Sequence, residues 1–299
     1  MDNIDKKKYI KIHFTDFWNG FKLEILPIYI LLSRKYQLVF DENDPDYLVF
    51  SCFGNNHLNY HNCIKIFWSG ENYFPDFNQC DYAMGCFYLE LGDRFLRLPE
   101  WVAYNRDWLY DKSSLLDDAT LLNRKFCNFV YSNSDHADPF RVQFFKRLSE
   151  YKQVDSGGKL ENNIGGYVAD KIYFISGYKF TIAFENSSMD GYTTEKLIQP
   201  MHVNSLPIYW GNPLVHFDFN IDSIVYVKDY DSIEDAIAEV IALDNDDAAY
   251  LEKLRKPWFL NEEFKDWGKR IADFLYPIIE QDKEKAVRIA KYGRNCYNV

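Results

Sequence analysis

The stretch from Tyr178 to Pro213 constrains the fold more than any other part of the chain. It reads YKFTIAFENSSMDGYTTEKLIQPMHVNSLPIYWGNP. Residues 180–184, F-T-I-A-F, are a short and nearly continuous apolar run, as expected for a parallel strand covered on both faces. A polar loop, an amphipathic segment over 193–203 and a second apolar run over 206–210 follow. Strand, helix and strand at this spacing predict a βαβ unit, which commits its neighbours to a parallel sheet. The same alternation recurs along the chain. Candidate strands are 9–14, 35–39, 47–53, 64–68, 82–85, 126–131 and 224–227. Candidate helices are 23–34, 139–151, 233–243, 247–255 and 267–279. The fold class is therefore α/β. The 299 residues suit two domains of about 100–200 residues each, divided as 1–120 and 121–280, with a charged tail over 281–299. Two Rossmann-like domains facing a cleft satisfy the pattern, and so does one large doubly wound sheet. Periodicity does not separate them.

Charge narrows the ligand. A formal net charge of −11 has the wrong sign for a nucleic-acid binder, whose affinity comes largely from neutralising phosphates. A single nucleotide remains compatible, because one pocket needs only a few cations. The six cysteines form no C-x-x-C pair and read as reduced, buried small hydrophobes, which favours a reducing compartment. No run of 18 apolar residues occurs, so the expectation is a cytoplasmic protein without a membrane span. Five Lys and Arg between Lys283 and Arg294 would allow peripheral contact with an anionic membrane; a solvated tail explains them more simply. The aromatic content, 18%, supplies core, and also flat faces suited to sugar rings.

Ligands of open α/β sheets bind beyond the carboxyl ends of the strands. Glu185 and Asn186 stand there after the run 180–184. Thr193 or Thr194 can cap the next helix, placing Glu195 and Lys196 in its first turn. A helix N-terminus attracts anions, and a lysine there opposes the dipole by about 0.3–1 kcal/mol. Lys196 therefore points to an anionic ligand. Glu195 suits a ribose diol, although acids are favoured in any first helical turn. Glu71 follows the strand 64–68 after Gly70, as a cleft-facing carboxylate or a solvated loop acid. Phe67, Trp68, Tyr73 and Phe74 flank it, as sugar platform or as core. Ser156-Gly157-Gly158-Lys159 reads as a turn, as does Asp44-Pro45-Asp46. The histidines lack metal-ligand spacing, and no metal site is expected.

The pattern F-E-N-x5-Y-x-T-E-K over 184–196, followed by P-I-Y-W-G-N-P over 207–213, resembles the signature of glycosyltransferase family 10, the α-1,3/4-fucosyltransferases. The bacterial, Helicobacter-type members are most similar. W-S-G-E-N at 68–72, Asp81–Gly85, Asp93–Pro99, and Ser132-Asn133 with Arg141 extend the likeness more loosely between residues 60 and 260. The chain departs from that type in lacking C-terminal heptad repeats and in carrying Thr193 where valine is more usual. The resemblance implies a GT-B architecture and inverting transfer of L-fucose from GDP-fucose. The acceptor it implies is the GlcNAc 3-hydroxyl of a Gal-GlcNAc oligosaccharide or glycoconjugate, giving a Lewis-antigen type of product. It implies Glu71 as general base, Arg141 and Lys196 as the diphosphate cations, and Glu195, Asn186 and Tyr192 as donor contacts. Glu185 is either a donor contact or a brace for the loop. GDP-fucose is a co-substrate, and no cofactor is implied. The alternatives are a transferase of the same fold using another nucleotide sugar, an α-1,4 linkage or Glc in place of GlcNAc, and a non-catalytic nucleotide-sugar-binding module.

Overall fold

The protein is represented by a computed structural model, which describes residues 7–103, 116–132, 137–259 and 266–289. The chain divides into two compact units, Met1–Ala103 with Lys265–Val299, and Tyr104–Phe264. Each holds its own sheet, and every strand pairing is parallel. Two sheets decide between the alternatives left open by the sequence, and the single doubly wound sheet is excluded.

The first unit contains β1 (Tyr9–Thr15), α1 (Pro27–Lys35), β2 (Gln37–Phe40), β3 (Tyr47–Phe50), β4 (Ile64–Trp68), β5 (Tyr82–Gly85) and β6 (Phe95–Arg97). The sheet order is β2-β1-β3-β4-β5-β6. Strands β3, β4 and β5 are buried at every position, which explains their apolar sequences; the one charge, Lys65 of β4, donates to the His57 carbonyl at 2.7 Å. The helix expected over 23–34 is split. Leu23–Ile25 is a single 3-10 turn, and the α-helix starts at Pro27, whose fixed φ and missing N–H suit the first helical position.

The second unit contains α2 (Asp118–Leu122), β7 (Lys125–Phe129), α3 (Phe140–Tyr151), β8 (Val154–Ser156), α4 (Lys171–Ile175), β9 (Tyr178–Phe184), α5 (Glu195–His202), β10 (Leu206–Trp210), β11 (Val225–Tyr226), α6 (Ile233–Asn245) and α7 (Asp247–Arg255). The order is β11-β10-β9-β7-β8, with β9 central. All seven β9 residues are buried, and its last residue, Phe184, lies opposite Trp210 of β10. Phe144 of α3 packs on Phe184, with ring centroids 4.9 Å apart. The Gly157-Gly158 pair, expected to form a turn, leads out of β8 through a bend at Gly158 and has a packing reason. A Cβ on Gly158 would lie 1.8 Å from the Tyr131 carbonyl oxygen, so only glycine lets the two backbones approach this closely.

The chain then returns to the first unit through α8 (Trp267–Glu280) and α9 (Lys283–Ala286). Chain order had grouped 267–280 with the second domain; it belongs to the first. An amphipathic stripe tells that a helix has a face to bury, not which sheet will bury it. Here Trp267 packs edge-on against Trp101, and α8 lies along α1. The segment beyond α8 is not a free tail over its described length. Lys283 pairs with Asp46 at 2.9 Å, and Asp81 Oδ1 accepts the backbone N–H groups of Arg288 and Ile289 at 2.7 and 2.9 Å. Arg288 also pairs with Asp93. Two of the tail's cations are thus engaged by the first unit's own acids. Among the described residues, no helix is long and apolar enough to cross a membrane.

Candidate functional site

The carboxyl end of β9 and the start of α5 are held together by Glu185. Its side chain is fully buried. Oε1 accepts the Thr194 N–H at 2.8 Å and Oε2 accepts the Thr194 hydroxyl at 2.7 Å. Its backbone N–H donates to the Trp210 carbonyl at 2.9 Å. Thr194 is the N-cap of α5, accepting the Lys196 N–H. Glu185 therefore braces the strand end against the helix cap, one of the two roles open to it from sequence. Burial raises its pKa, against the opposing pull of Lys196 and the Thr194 bonds.

Lys196 projects back into this corner. Its ammonium lies 3.6 Å from Glu185 Oε2, 3.3 Å from Glu195 Oε1 and 3.1 Å from the Thr194 hydroxyl. Burial alone would raise the pKa of Glu195, but Lys196 and Lys171 outweigh it and hold the carboxyl below its ordinary range. Glu195 is therefore a carboxylate at neutral pH, an acceptor with no proton of its own to donate, which is the state a sugar diol requires.

Arg141 of α3 is 2% exposed. Its guanidinium donates to the Phe184 carbonyl at 3.2 Å and to Asn186 Oδ1 at 2.8 Å, and it lies over the Tyr131 ring at 4.1 Å. Asn186 in turn accepts the Asp138 N–H on its carbonyl at 2.8 Å, joining the start of α3 to the end of β9. Arg141, Asn186, Glu185, Glu195 and Lys196, separated by up to 55 positions, thus gather at one strand end. Tyr192, in the loop between β9 and α5, is 2% exposed.

Two contributors escaped the sequence reading. Lys171, the first residue of α4, stands in the electrostatic field of Glu195, Lys196, Glu185 and Arg141, and burial pushes its pKa down; α4 packs on α5 and β9. A lone lysine opening a five-residue helix carries no motif, so only the fold reveals it. The cluster then has three cations against two carboxylates, at the positive end of the α5 dipole, and can accept an anion. The other is Asn212. Its Oδ1 accepts the Gly191 N–H at 2.7 Å and the Leu214 N–H at 2.9 Å, and its Nδ2 donates to Thr193 at 3.0 Å. The amide shapes the loop that delivers Thr194 and Glu195, and its signal was the G-N-P triplet after β10.

Gly211 has φ +158°, and a Cβ there would stand 2.5 Å from Glu185 Cγ. Gly211→Ala is expected to cost about 1–3 kcal/mol by overpacking and to push Glu185 off Thr194. A lower melting temperature together with weaker GDP binding would show it; an unchanged melting curve would mean that Glu185 moves freely.

In the first unit, the described ends of the strands carry Glu71. It is exposed, and its N–H donates to the Ser69 hydroxyl at 3.0 Å. That hydroxyl lies 3.2 Å from Cys52 Sγ, tying the loop after β4 to the loop after β3. A Cβ on Gly70 would meet Glu100 Cγ at 2.7 Å, so glycine keeps this turn tight. Of the aromatics flanking Glu71, Phe67 and Trp68 are core, at 3% and 6% exposed, while Tyr73 and Phe74 are half exposed. Ser132 is described and exposed; Asn133 lies outside the described residues. Among the described residues, no group of three or more His, Cys, Asp or Glu gathers to hold a metal.

Comparison with known proteins agrees with this geometry. Residues 12–104 match the "Alpha-(1,3)-fucosyltransferase FucT N-terminal domain", and residues 122–271 match "Glycosyltransferase family 10 (fucosyltransferase) C-term". The α-(1,3)-fucosyltransferase FucT of Helicobacter pylori is 31% identical, over 91% of this chain and 66% of its own length. The 3-galactosyl-N-acetylglucosaminide 4-α-L-fucosyltransferase of Bos taurus is 34% identical, over 56% of this chain and 47% of its own. The chain thus spans less than two thirds of either relative. A crystal structure of an α1,3-fucosyltransferase with GDP-fucose superposes with a TM-score of 0.80 at 28% identity, covering 94% of each chain.

Proposed function

Because this chain belongs to glycosyltransferase family 10, the fucosyltransferases, we propose that it is an inverting α-1,3-fucosyltransferase. In this reading it moves L-fucose from GDP-fucose to the GlcNAc 3-hydroxyl of a Gal-GlcNAc oligosaccharide or glycoconjugate. The observation that carries it is Lys196 paired with Glu195 at the start of α5, with Arg141 bonded to the adjoining end of β9 and Lys171 of α4 in their electrostatic field. Such a site binds a diphosphate and a ribose together. Arg141 and Lys196 hold the diphosphate, Glu195 accepts the ribose hydroxyls, and Asn186 orients Arg141. Glu71 is the general base, a role that rests on its match to the W-S-G-E-N motif.

The reaction follows from these groups. The acceptor hydroxyl attacks the anomeric carbon from the face opposite GDP, so a β-linked donor gives an α-linked product. Its proton passes to Glu71 as the new C–O bond forms and the bond to the diphosphate breaks. The departing GDP gains negative charge, which the three cations and the helix terminus stabilise where it develops. Side chains do this work, so the scheme requires no metal or other cofactor. A bacterial, cytoplasmic enzyme acting on nascent glycans of the Lewis-antigen type fits this donor.

The test is direct. Purified protein is mixed with GDP-fucose and an acceptor panel, N-acetyllactosamine first, in EDTA, and products are read by mass and linkage. The expected product is the trisaccharide fucosylated at the GlcNAc 3-hydroxyl. Transfer to the 4-hydroxyl or to lactose alone would replace the acceptor assignment. GDP binding with no product on any acceptor would leave a nucleotide-sugar-binding module in its place.

A further inference from the structure

We propose that Trp18 and Phe53 form the platform on which an acceptor sugar ring stacks. The identity of the ligand rests on the fucosyl-transfer reading above; the platform itself rests on the first unit alone. Phe17 and Phe21 stack at 4.2 Å, Trp18 meets Phe21 edge-on at 4.6 Å, and Trp18 meets Phe53 edge-on at 5.6 Å. Phe17 also stacks on Trp68 at 6.2 Å. Phe17, Phe21 and Trp68 complete the group, while Trp18 is 38% and Phe53 46% exposed. These segments directly follow the carboxyl ends of β1, β3 and β4, the edge at which α/β sheets take their ligands.

A chain of short contacts ties this platform to Glu71. The Glu71 N–H donates to Ser69, Ser69 meets Cys52, and Cys52 precedes Phe53. The Phe53 N–H donates to the Asp16 carbonyl at 3.0 Å, and Asp16 precedes Phe17 and Trp18. Asp16 has φ +61°, a left-handed conformation that costs a non-glycine residue about 1–3 kcal/mol. Its surroundings hold it there. Its carboxylate accepts the Asn56 N–H and the His57 N–H, both at 2.9 Å, and meets His57 Nδ1 at 2.8 Å. A Cβ on Gly54 would lie 2.5 Å from Asp16 Oδ1, so a larger residue there would push on the carboxylate. These bonds fix the backbone of Asp16, from which the Phe17–Trp18 segment continues.

The chemistry of the patch selects its occupant. Two exposed rings are too small a surface for a protein interface. The flanking exposed side chains Asn19 and Asn55 are amides, which donate to and accept from hydroxyls. An apolar face bordered by amides matches a pyranose, whose C–H face is apolar and whose rim is hydroxylated. From sequence, the aromatics flanking Glu71 suit a platform or the core equally. The fold buries two of those four, and the loops after β1 and β3 supply this one.

Trp18→Ala, Trp18→Phe and Phe53→Ala test the assignment. With N-acetyllactosamine as acceptor, Trp18→Ala is expected to raise the acceptor KM at least tenfold, with the GDP-fucose KM within twofold of wild type and Trp18→Phe recovering most of the loss. Melting curves and GDP affinity control for folding. A second measurement needs no turnover. In saturation-transfer NMR with N-acetyllactosamine alone, wild type should transfer magnetisation to the ring C–H protons and Trp18→Ala should lose that transfer. Saturation transfer without any fucosylated product would keep the platform and remove the reaction assigned to it. Acceptor KM values within twofold across the three variants, or the same NMR response in wild type and Trp18→Ala, would overturn the platform.

Discussion

Glu71→Gln is expected to lower kcat by about 10²–10⁴-fold, the usual range for loss of a general base, while GDP-fucose binding stays within a few-fold of wild type. The split follows from where the groups lie. The cations proposed to bind the donor, Arg141, Lys171 and Lys196, belong to the second unit, and Glu71 to the first, so the substitution touches no group proposed to hold the nucleotide. Glutamine keeps the size of the side chain and the backbone bond from residue 71 to Ser69. It loses only the capacity to take a proton. Steady-state rates with N-acetyllactosamine, alongside calorimetric titration with GDP, separate the two effects. A variant with full kcat would remove Glu71 from the proton-transfer step. One that lost GDP binding as well would assign the residue a structural part in the donor site.

The legible and illegible parts of this molecule divide by sequence range. The βαβ unit from Tyr178 was readable because a two-sided buried strand leaves an unbroken apolar run, and because Thr194 caps α5 in local sequence. Strands β4, β5 and β10 fall where the apolar runs place them. Some short elements were readable, β2 and β11 among them, and others were not. β6 and β8 have three residues each and α4 five, and no periodicity emerges over so few positions. Interactions between distant segments were equally hidden. Lys171 reaches the donor corner only because α4 folds beside α5, and α8 joins the first sheet after the whole second unit has intervened. The two possible roles of Glu185 were set out from sequence; the choice between them needed the bonds to Thr194. The Trp18 turn lay unread because its aromatics are scattered over residues 17–68 and converge only at the strand ends.

Replacing Lys196 by methionine has the second largest expected effect, and on two quantities at once. The side chain is only 13% exposed, and its ammonium lies within 3.6 Å of Glu185 and 3.3 Å of Glu195. Removing it leaves a fully buried carboxylate and a largely buried one with Lys171 as the remaining nearby lysine. Breaking a buried ion pair from one side costs about 3–5 kcal/mol. GDP should also lose a charge-assisted contact worth about 1.5–3 kcal/mol, weakening its binding by at least tenfold. Lys196→Arg keeps the charge and should recover most of the stability. The pH dependence supplies an internal check on the cause. Glu195 has a depressed pKa in the folded protein. Its contribution to stability is therefore present above the unfolded carboxyl value, about 4.3, and is lost as pH falls through the folded value. Glu185 has a raised pKa, so its buried charge weighs against folding increasingly as pH rises through the carboxylate range, and Lys196 offsets that charge in wild type. Both effects make the Lys196→Met deficit largest near neutral pH and smaller in acid. Urea unfolding of wild type and variant at pH 7.5 and at successively lower pH should show the two curves converging. A deficit that stays constant with pH would trace the loss to packing of the lysine stem instead of to its charge.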